Sequence, residues 1–125
     1  MKTLKQYLTE RLIIKKINYN CCPKTKKELQ EIIKQRIDKE GHEVDLNNID
    51  VSKITDMSYL FENFNKFNGD ISEWDVSNVT NMKWMFYECT AFNKDISSWD
   101  VSNVTNIKDM FYNCAIEEKH KPKFK

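Results

Sequence analysis

Hydrophobic positions recur every 25 residues between Asp45 and Cys114. Three units share one register, and four of their apolar slots hold Leu46, Ile71 and Ile96; Ile49, Trp74 and Trp99; Ile54, Val79 and Val104; and Phe61, Phe86 and Phe111. Polar slots keep the same register, because an aspartate begins each unit. A fixed period of this length is typical of repeats that stack on one another. We therefore expect matching side chains to form ladders through the stack.

Within each unit the spacing of the apolar residues changes. Trp74 and Val76 alternate with polar neighbours, which predicts a short strand. The next apolar residues fall at i, i+3, i+4 and i+7, the spacing of one helical face: Met82, Met85, Phe86 and Cys89. Neither piece can bury its apolar side alone, whereas stacking would pair the strands in parallel and bury both. The pattern predicts an α/β fold, a short solenoid of about three strand–helix units at residues 42–116.

Residues 1–41 are predicted to form an N-terminal helical cap on this solenoid. The first stretch places apolar residues at helical spacing, at Leu4, Leu8, Leu12 and Ile13. After Pro23, a second helix is bounded by a capping box of Thr25 and Glu28 and by Gly41 at its C-terminal end. Because the ends of a solenoid need covering, we interpret both helices as one cap. The alternative is an independently functional helical hairpin.

Residues 117–125 form the C-terminal tail. The 25-residue register places His120 where Asp95 stands and Phe124 where Trp99 stands. The tail also carries Pro122 and several lysines, which natural sheets place on edges to discourage further pairing. This favours a degenerate terminal unit that stops the stack; a disordered basic tail is the alternative. All three segments are expected to make one compact domain.

The repeated phrase resembles a known family. Residues 67–89 follow the pattern FNxDISxWDVSNVTNMxxMFYxC, which is similar to the repeat of BspA-like leucine-rich-repeat surface proteins and to the related repeat of mycoplasma lipoproteins. The likeness extends over roughly residues 45–114, because apolar, Asp, Ser, Thr and Cys slots all fall in register. The resemblance implies a leucine-rich-repeat-like solenoid that binds proteins or host surfaces.

Composition narrows the class of function. A chain of 125 residues fits one domain, and a net charge of +1 argues against a nucleic-acid partner. No apolar run approaches the roughly 20 residues that a membrane span needs. The first residues do not have the pattern of a secretory signal, so we expect a cytoplasmic protein, or a cell-surface protein if the chain is a processed fragment. The 4 cysteines form no dense disulfide framework and are expected to be free thiols.

Candidate catalytic and metal-binding residues are few. His42 and His120 are the only histidines, and neither lies near a repeated Ser or Cys slot, so we expect no catalytic site and no enzyme activity. An acidic ladder of Asp50, Asp75 and Asp100 would suit a cation, but aspartates at turns also bond to nearby backbone. The structural role is favoured, and neither a metal nor another cofactor is predicted. Cys89 and Cys114 share the slot of Phe64, which indicates a buried apolar position.

Two surfaces are candidates for binding a protein partner. The first is an aromatic stripe on the exposed helical face, formed by Tyr59, Trp84, Tyr87 and Tyr112. Tyr and Trp are enriched in interface hot spots, although Trp84 could instead pack on a neighbouring helix or on the cap. The second is an acidic row along the strand edge, which would favour a partner with a basic surface. Its charged members are Glu73, Asp75 and Asp100, with Asp50 beside them.

These observations lead to three hypotheses of function. The first is a non-catalytic protein-protein interaction module, such as an accessory or inhibitory factor that occludes a site on its partner, for example one encoded by a phage. The second, implied by the resemblance, is a bacterial cell-surface protein for adhesion or host interaction. The third is a structural assembly protein whose open solenoid end pairs with another copy. The chain is accordingly expected to be a monomer or a homodimer through that end.

Overall fold

The computed structural model describes residues 3–6, 8 and 22–124. Helix α1 is Lys26–Glu40, a 3-10 helix lies at Glu118–His120, and residues 4–6 and 8 are also helical. In this part of the chain there is no β-strand. Parallel pairing is limited to isolated bridges that join Asp45 to Asp70, Asp56 to Asn81, and Asn81 to Asn106.

The predicted α/β solenoid of leucine-rich-repeat-like strand–helix units is wrong. The segment predicted as a helix is a run of turns, because Tyr59, Trp84 and Asp109 have φ angles of 63°, 59° and 50°. Such left-handed residues cannot continue a right-handed helix. The segment predicted as a strand is also bent, since Asp70 Oδ1 accepts the backbone N–H of Ser72 at 3.0 Å.

Neighbouring units are joined by backbone hydrogen bonds that involve every second residue, which we call the turn ladder. Four N–H groups of the first unit donate to carbonyls of the second at 2.8–2.9 Å: Met57 to Asn81, Tyr59 to Lys83, Phe61 to Met85 and Asn63 to Tyr87. The intervening N–H groups close local turns, as from Leu60 to the Met57 carbonyl. The same pattern recurs 25 residues later, from Met82, Trp84, Phe86 and Glu88 to Asn106, Lys108, Met110 and Tyr112. Backbone groups that a helix would pair internally are thus paired between units.

Aromatic rings fill the centre of the stack. Phe61 and Phe86 lie 5.4 Å apart between ring centroids, and Trp74 and Trp99 lie 6.5 Å apart with their planes within 6°. The Trp74 indole Nε1 also donates to the Leu46 carbonyl of the preceding unit at 2.9 Å. These contacts confirm the register predicted from the period, because residues 25 apart lie on one another although residues 45–114 contain neither strand nor helix.

Helix α1 begins and ends where its sequence predicted. The predicted capping box is only half formed, because the Glu28 carboxylate accepts the backbone N–H of Lys24 at 3.2 Å. The Thr25 side chain accepts the backbone N–H of Glu28, and Gly41, at φ 91°, donates its N–H to the Ile37 carbonyl. Leu29 and Ile33 are fully buried in the core that they share with the first unit. The helix therefore lies against the N-terminal end of the stack.

The predicted cap over residues 1–41 remains a prediction. Leu12 and Ile13 lie outside the described residues, and Leu4 and Leu8 are 76% and 50% exposed. Polar contacts tie α1 to the first unit, because Arg36 Nη2 donates to the Asp45 carbonyl at 2.9 Å.

The C-terminal tail follows the stack into a fourth layer. The Ile96 N–H donates to the His120 carbonyl at 3.0 Å, a bond equivalent to that from Leu46 to Asp70. Pro122 is buried and Phe124 packs against the core. Residues up to Phe124 thus lie where the register places them, whereas their predicted role in stopping the stack remains a prediction.

Candidate protein-binding surface

Four aromatic side chains form a continuous row across the three units, which we call the aromatic row: Tyr59, Trp84, Tyr87 and Tyr112. Ring centroids are 5.6 Å apart from Tyr59 to Trp84, 4.2 Å from Trp84 to Tyr87 and 5.0 Å from Tyr87 to Tyr112. The last two pairs are stacked, with interplanar angles of 8° and 15°. The residues predicted as an aromatic stripe are therefore brought together.

The backbone of the row differs from the predicted helical face. Tyr59 and Trp84 occupy the same left-handed slot of successive units, and their N–H groups take part in the turn ladder. A turn at residues 84–87, closed by the Tyr87 N–H on the Trp84 carbonyl at 3.3 Å, brings the two rings of that unit face to face. A left-handed bulky residue costs roughly 1–2 kcal/mol, which the inter-unit hydrogen bonds offset.

The row is partly open to solvent. Tyr59 is 37% exposed and Tyr112 is 55% exposed, while Trp84 and Tyr87 are half-buried between them. Trp84 stacks within the row and lies outside the central core. Its Nε1 is the buried side-chain nitrogen that lacks a hydrogen-bond partner among the described residues. A half-buried aromatic centre with exposed tyrosines at both ends suits a protein interface.

Charged groups flank the row at its N-terminal end. The ammonium groups of Lys26 and Lys83 lie 5.8 Å and 5.7 Å from the centroid of the Tyr59 ring, within range of a cation–π interaction. Burial, followed by the charge of Glu88, raises the pKa of Tyr87 above its usual value. The Tyr87 phenol therefore stays protonated and can donate a hydrogen bond at neutral pH.

Carboxylates of the predicted acidic row mainly hold turns. Asp75 Oδ1 accepts the Ser77 hydroxyl at 2.6 Å and the Ser77 backbone N–H at 3.0 Å, and these two bonds, the hydroxyl one first, lower the pKa of Asp75. The charges of Asp50 and Asp100 in the neighbouring units oppose that shift, so the three carboxylates sense one another through the stack. Glu73 is exposed and its backbone N–H donates to Asn47. The row is a column of negative charge built on structural turns.

The described residues offer little for metal or nucleophilic chemistry. Among them, no group of three or more His, Cys, Asp and Glu side chains could hold a metal ion. Cys89 is fully buried, as its slot predicted, and burial raises the pKa of its thiol to about 12. Such a thiol is a poor nucleophile. His120 belongs to the C-terminal tail, and its Nδ1 lies 2.9 Å from Asn93 Oδ1.

Sequence reasoning missed two features of the surface. The lysines beside Tyr59 are one, because contacts between Lys26 and the first unit could not be read from spacing. The other is the turn ladder, whose donors and acceptors are backbone groups. The nearest signal of these turns in the sequence was asparagine at the equivalent positions of the first and third units, Asn63 and Asn113. Asparagine tolerates the left-handed conformation that both residues adopt.

The family model described as "Mycoplasma protein of unknown function, DUF285" matches residues 27–122. The chain belongs to the DUF285 family. The match takes in helix α1 and all three units of the DUF285 chain, and it bears out the resemblance to the mycoplasma repeat. Searches of curated proteins and of solved structures each found no match.

Within the described part of this DUF285 protein, every helix is too short or too polar to span a lipid bilayer.

Proposed function

We propose that this chain is a non-catalytic protein-binding module and that the aromatic row is its binding surface. The observation that carries the proposal is the continuity of the four rings, whose neighbouring centroids are 4.2–5.6 Å apart. Tyr and Trp side chains supply large contact areas and dominate interface hot spots. None of the four side chains belongs to the buried hydrophobic cluster of the core.

Preorganisation supports the same proposal. Each ring of the row comes from a residue whose backbone lies in the turn ladder, either as donor or as acceptor. Binding would therefore fix few additional torsions, and less conformational entropy would be lost on association. The acidic row provides a second contribution, because exposed Glu73 and Asp75 would attract a partner with a basic surface. In this view the module acts as an accessory or inhibitory factor that covers a site on its partner.

The test compares partner capture by matched variants. We expect the immobilised wild-type chain to retain a protein from a lysate of its source organism, and Tyr59→Ala with Tyr112→Ala to lower retention at least tenfold. Leu4→Ala is the control, because Leu4 is the most exposed large apolar residue described and lies outside the row. Retention would be quantified by mass spectrometry and the affinity by calorimetry. Equal retention by the double variant and the control would refute the role of the row.

A second candidate, a cell-surface protein for host interaction, is supported by the resemblance of the repeated phrase at residues 67–89 to the repeat of BspA-like surface proteins. Both candidates use the same row and differ in location. Fractionation of the source cells, with brief protease treatment of intact cells, separates them. Degradation of the chain on intact cells would support the surface role, and protection until lysis would support the cytoplasmic one.

A further inference from the structure

The turn ladder gives the stack two chemically different ends. The first two units each donate four N–H groups to the next unit. In the third unit the equivalent donors have no hydrogen-bond partner among the described residues: the N–H groups of Ile107, Asp109, Phe111 and Asn113. We call this row of donors the open end. Unpaired backbone groups at the edge of a sheet can recruit an added chain. Here the unpaired groups are all donors, so an added chain would have to supply carbonyls.

The opposite end presents acceptors and is covered. In the second unit, four carbonyls accept the N–H groups of the unit before it. The equivalent carbonyls of the first unit have no donor among the described residues: those of Asp56, Ser58, Leu60 and Glu62. Helix α1 packs at this end, with Leu29 and Ile33 buried against the first unit. A second folded copy could pair head to tail only if α1 moved away and exposed both side chains. Two copies joined by two-fold symmetry would place donors against donors. Neither arrangement satisfies the open end.

The open end borders an open cavity of about 590 Å³, which has an apolar floor and a basic rim. Ile107, 42% exposed, and the partly buried Phe111 and Phe124 form the floor. The rim carries Lys119, Lys121 and Lys123 against the carboxylates of Asp109 and Glu118. Lys121 is paired with Glu118 at 2.6 Å, and its ammonium lies 5.3 Å from the centroid of the Phe111 ring. Among the lining residues, lysines exceed carboxylates by three to two, and Lys119 also lies 4.0 Å from the Glu117 carboxylate outside the lining. The unpaired N–H groups add partial positive charge.

We propose that the open end docks a segment of another protein, one that adopts the turned conformation of residues 106–112, presents backbone carbonyls at every second residue and carries an acidic side chain. The carbonyls would accept the four N–H groups as residues 106–112 do for the second unit. Apolar side chains would cover Ile107 and Phe111, and the carboxylate would lie beside Lys123. This site adjoins the aromatic row at Tyr112, but Tyr59 belongs to the first unit, so variants at Tyr59 and at Ile107 test the two surfaces independently.

The probe is a blocked octapeptide with the sequence of residues 106–113, NIKDMFYN, because in the chain this segment supplies four carbonyls to the second unit. Titrated into ¹⁵N-labelled protein, it should shift the amide signals of the four donors and slow their hydrogen exchange at least tenfold. A peptide with Lys108→Glu should bind about 3-fold more tightly, as an exposed charge pair allows. Lys123→Glu in the protein should remove that preference.

Three further protein variants complete the test. Ile107→Asp should weaken peptide binding at least tenfold, whereas Ala91→Asp, at an exposed position away from this end, should leave it unchanged. Tyr59→Ala should also bind the peptide normally, which separates this site from the aromatic row. The proposal is overturned if the acidic peptide at millimolar concentration leaves the four amides unaffected, or shifts other amides instead. Protection of the four amides that rises with protein concentration, without peptide, would overturn it in favour of a second copy.

Discussion

Replacing Trp74 or Trp84 by phenylalanine, one at a time, shows which of the two tryptophans belongs to the core of the stack and which to its surface. Trp74 is 4% exposed, donates Nε1 to the Leu46 carbonyl at 2.9 Å and stacks on Trp99. Trp74→Phe loses a hydrogen bond with a net value of about 1 kcal/mol. It also loses tens of Å² of buried apolar surface, or about 1 kcal/mol, and leaves a small cavity. We expect the free energy of unfolding to fall by about 2–3 kcal/mol.

Trp84→Phe is the matched control, because it makes the same chemical change in the aromatic row. The Trp84 Nε1 is buried without a hydrogen-bond partner, and removing such a group recovers a desolvation cost of about 1–3 kcal/mol. That gain offsets the smaller stacking area on Tyr87. We expect the free energy of unfolding to change by less than about 0.5 kcal/mol.

Urea unfolding followed by far-UV circular dichroism measures both variants without relying on tryptophan fluorescence. A loss of about 2–3 kcal/mol corresponds to a fall in Tm of roughly 10 °C for a domain of this size. The reasoning is refuted if the two variants are equally destabilised, or if Trp84→Phe is the worse of the two. Either result would place Trp84 in the structural core.

Three further predictions follow from single residues. Gly69→Ala should destabilise the fold by about 1–3 kcal/mol, because a Cβ there would lie 2.5 Å from the Val44 carbonyl oxygen and 2.6 Å from the Phe67 ring; thermal unfolding measures it, and an unchanged Tm would show that the backbone yields. Hydrogen bonds from the backbone N–H and then the hydroxyl of the serine two residues later lower the pKa of Asp70. Because the folded pKa lies below the unfolded one, this stabilisation is present above about pH 4 and is lost as pH falls through the folded value. Unfolding free energies measured from pH 6 to pH 2 should therefore decrease below pH 4, and Asp70→Asn should flatten that decrease. Finally, Cys89, with a thiol pKa raised to about 12, should react with a thiol reagent at least tenfold more slowly in the native protein than in urea; equal rates would contradict its burial.

Local sequence was sufficient for helix α1 and for the composition of the core. Thr25, Glu28 and Gly41 set the limits of α1 through short-range hydrogen bonds and a left-handed residue, which depend on neighbours within a few positions. The period of 25 predicted which side chains stack, because equal slots in equal units must meet when units lie in register. Trp74 over Trp99 is such a pair.

Tertiary structure decided the conformation of the second half of each unit. Apolar residues at i, i+3, i+4 and i+7 satisfy both a helix and a run of turns, since both bring such residues to one side. The outcome depends on where the backbone N–H groups find acceptors, and Met57 and Tyr59 find them in the neighbouring unit instead of four residues back. That choice requires a neighbour in place, which no single unit contains.

The candidate surfaces were likewise predicted in part from the sequence and determined in part by the tertiary structure. Sequence alone identified Tyr59, Trp84, Tyr87 and Tyr112 as residues that vary in slots outside the core. Only the folded chain determined that a left-handed backbone stacks Trp84 on Tyr87, and that the last unit leaves a row of N–H donors without acceptors in the part of the chain that the structure describes. Side-chain character is written in the sequence, whereas the direction of a backbone hydrogen bond is fixed only when the units assemble.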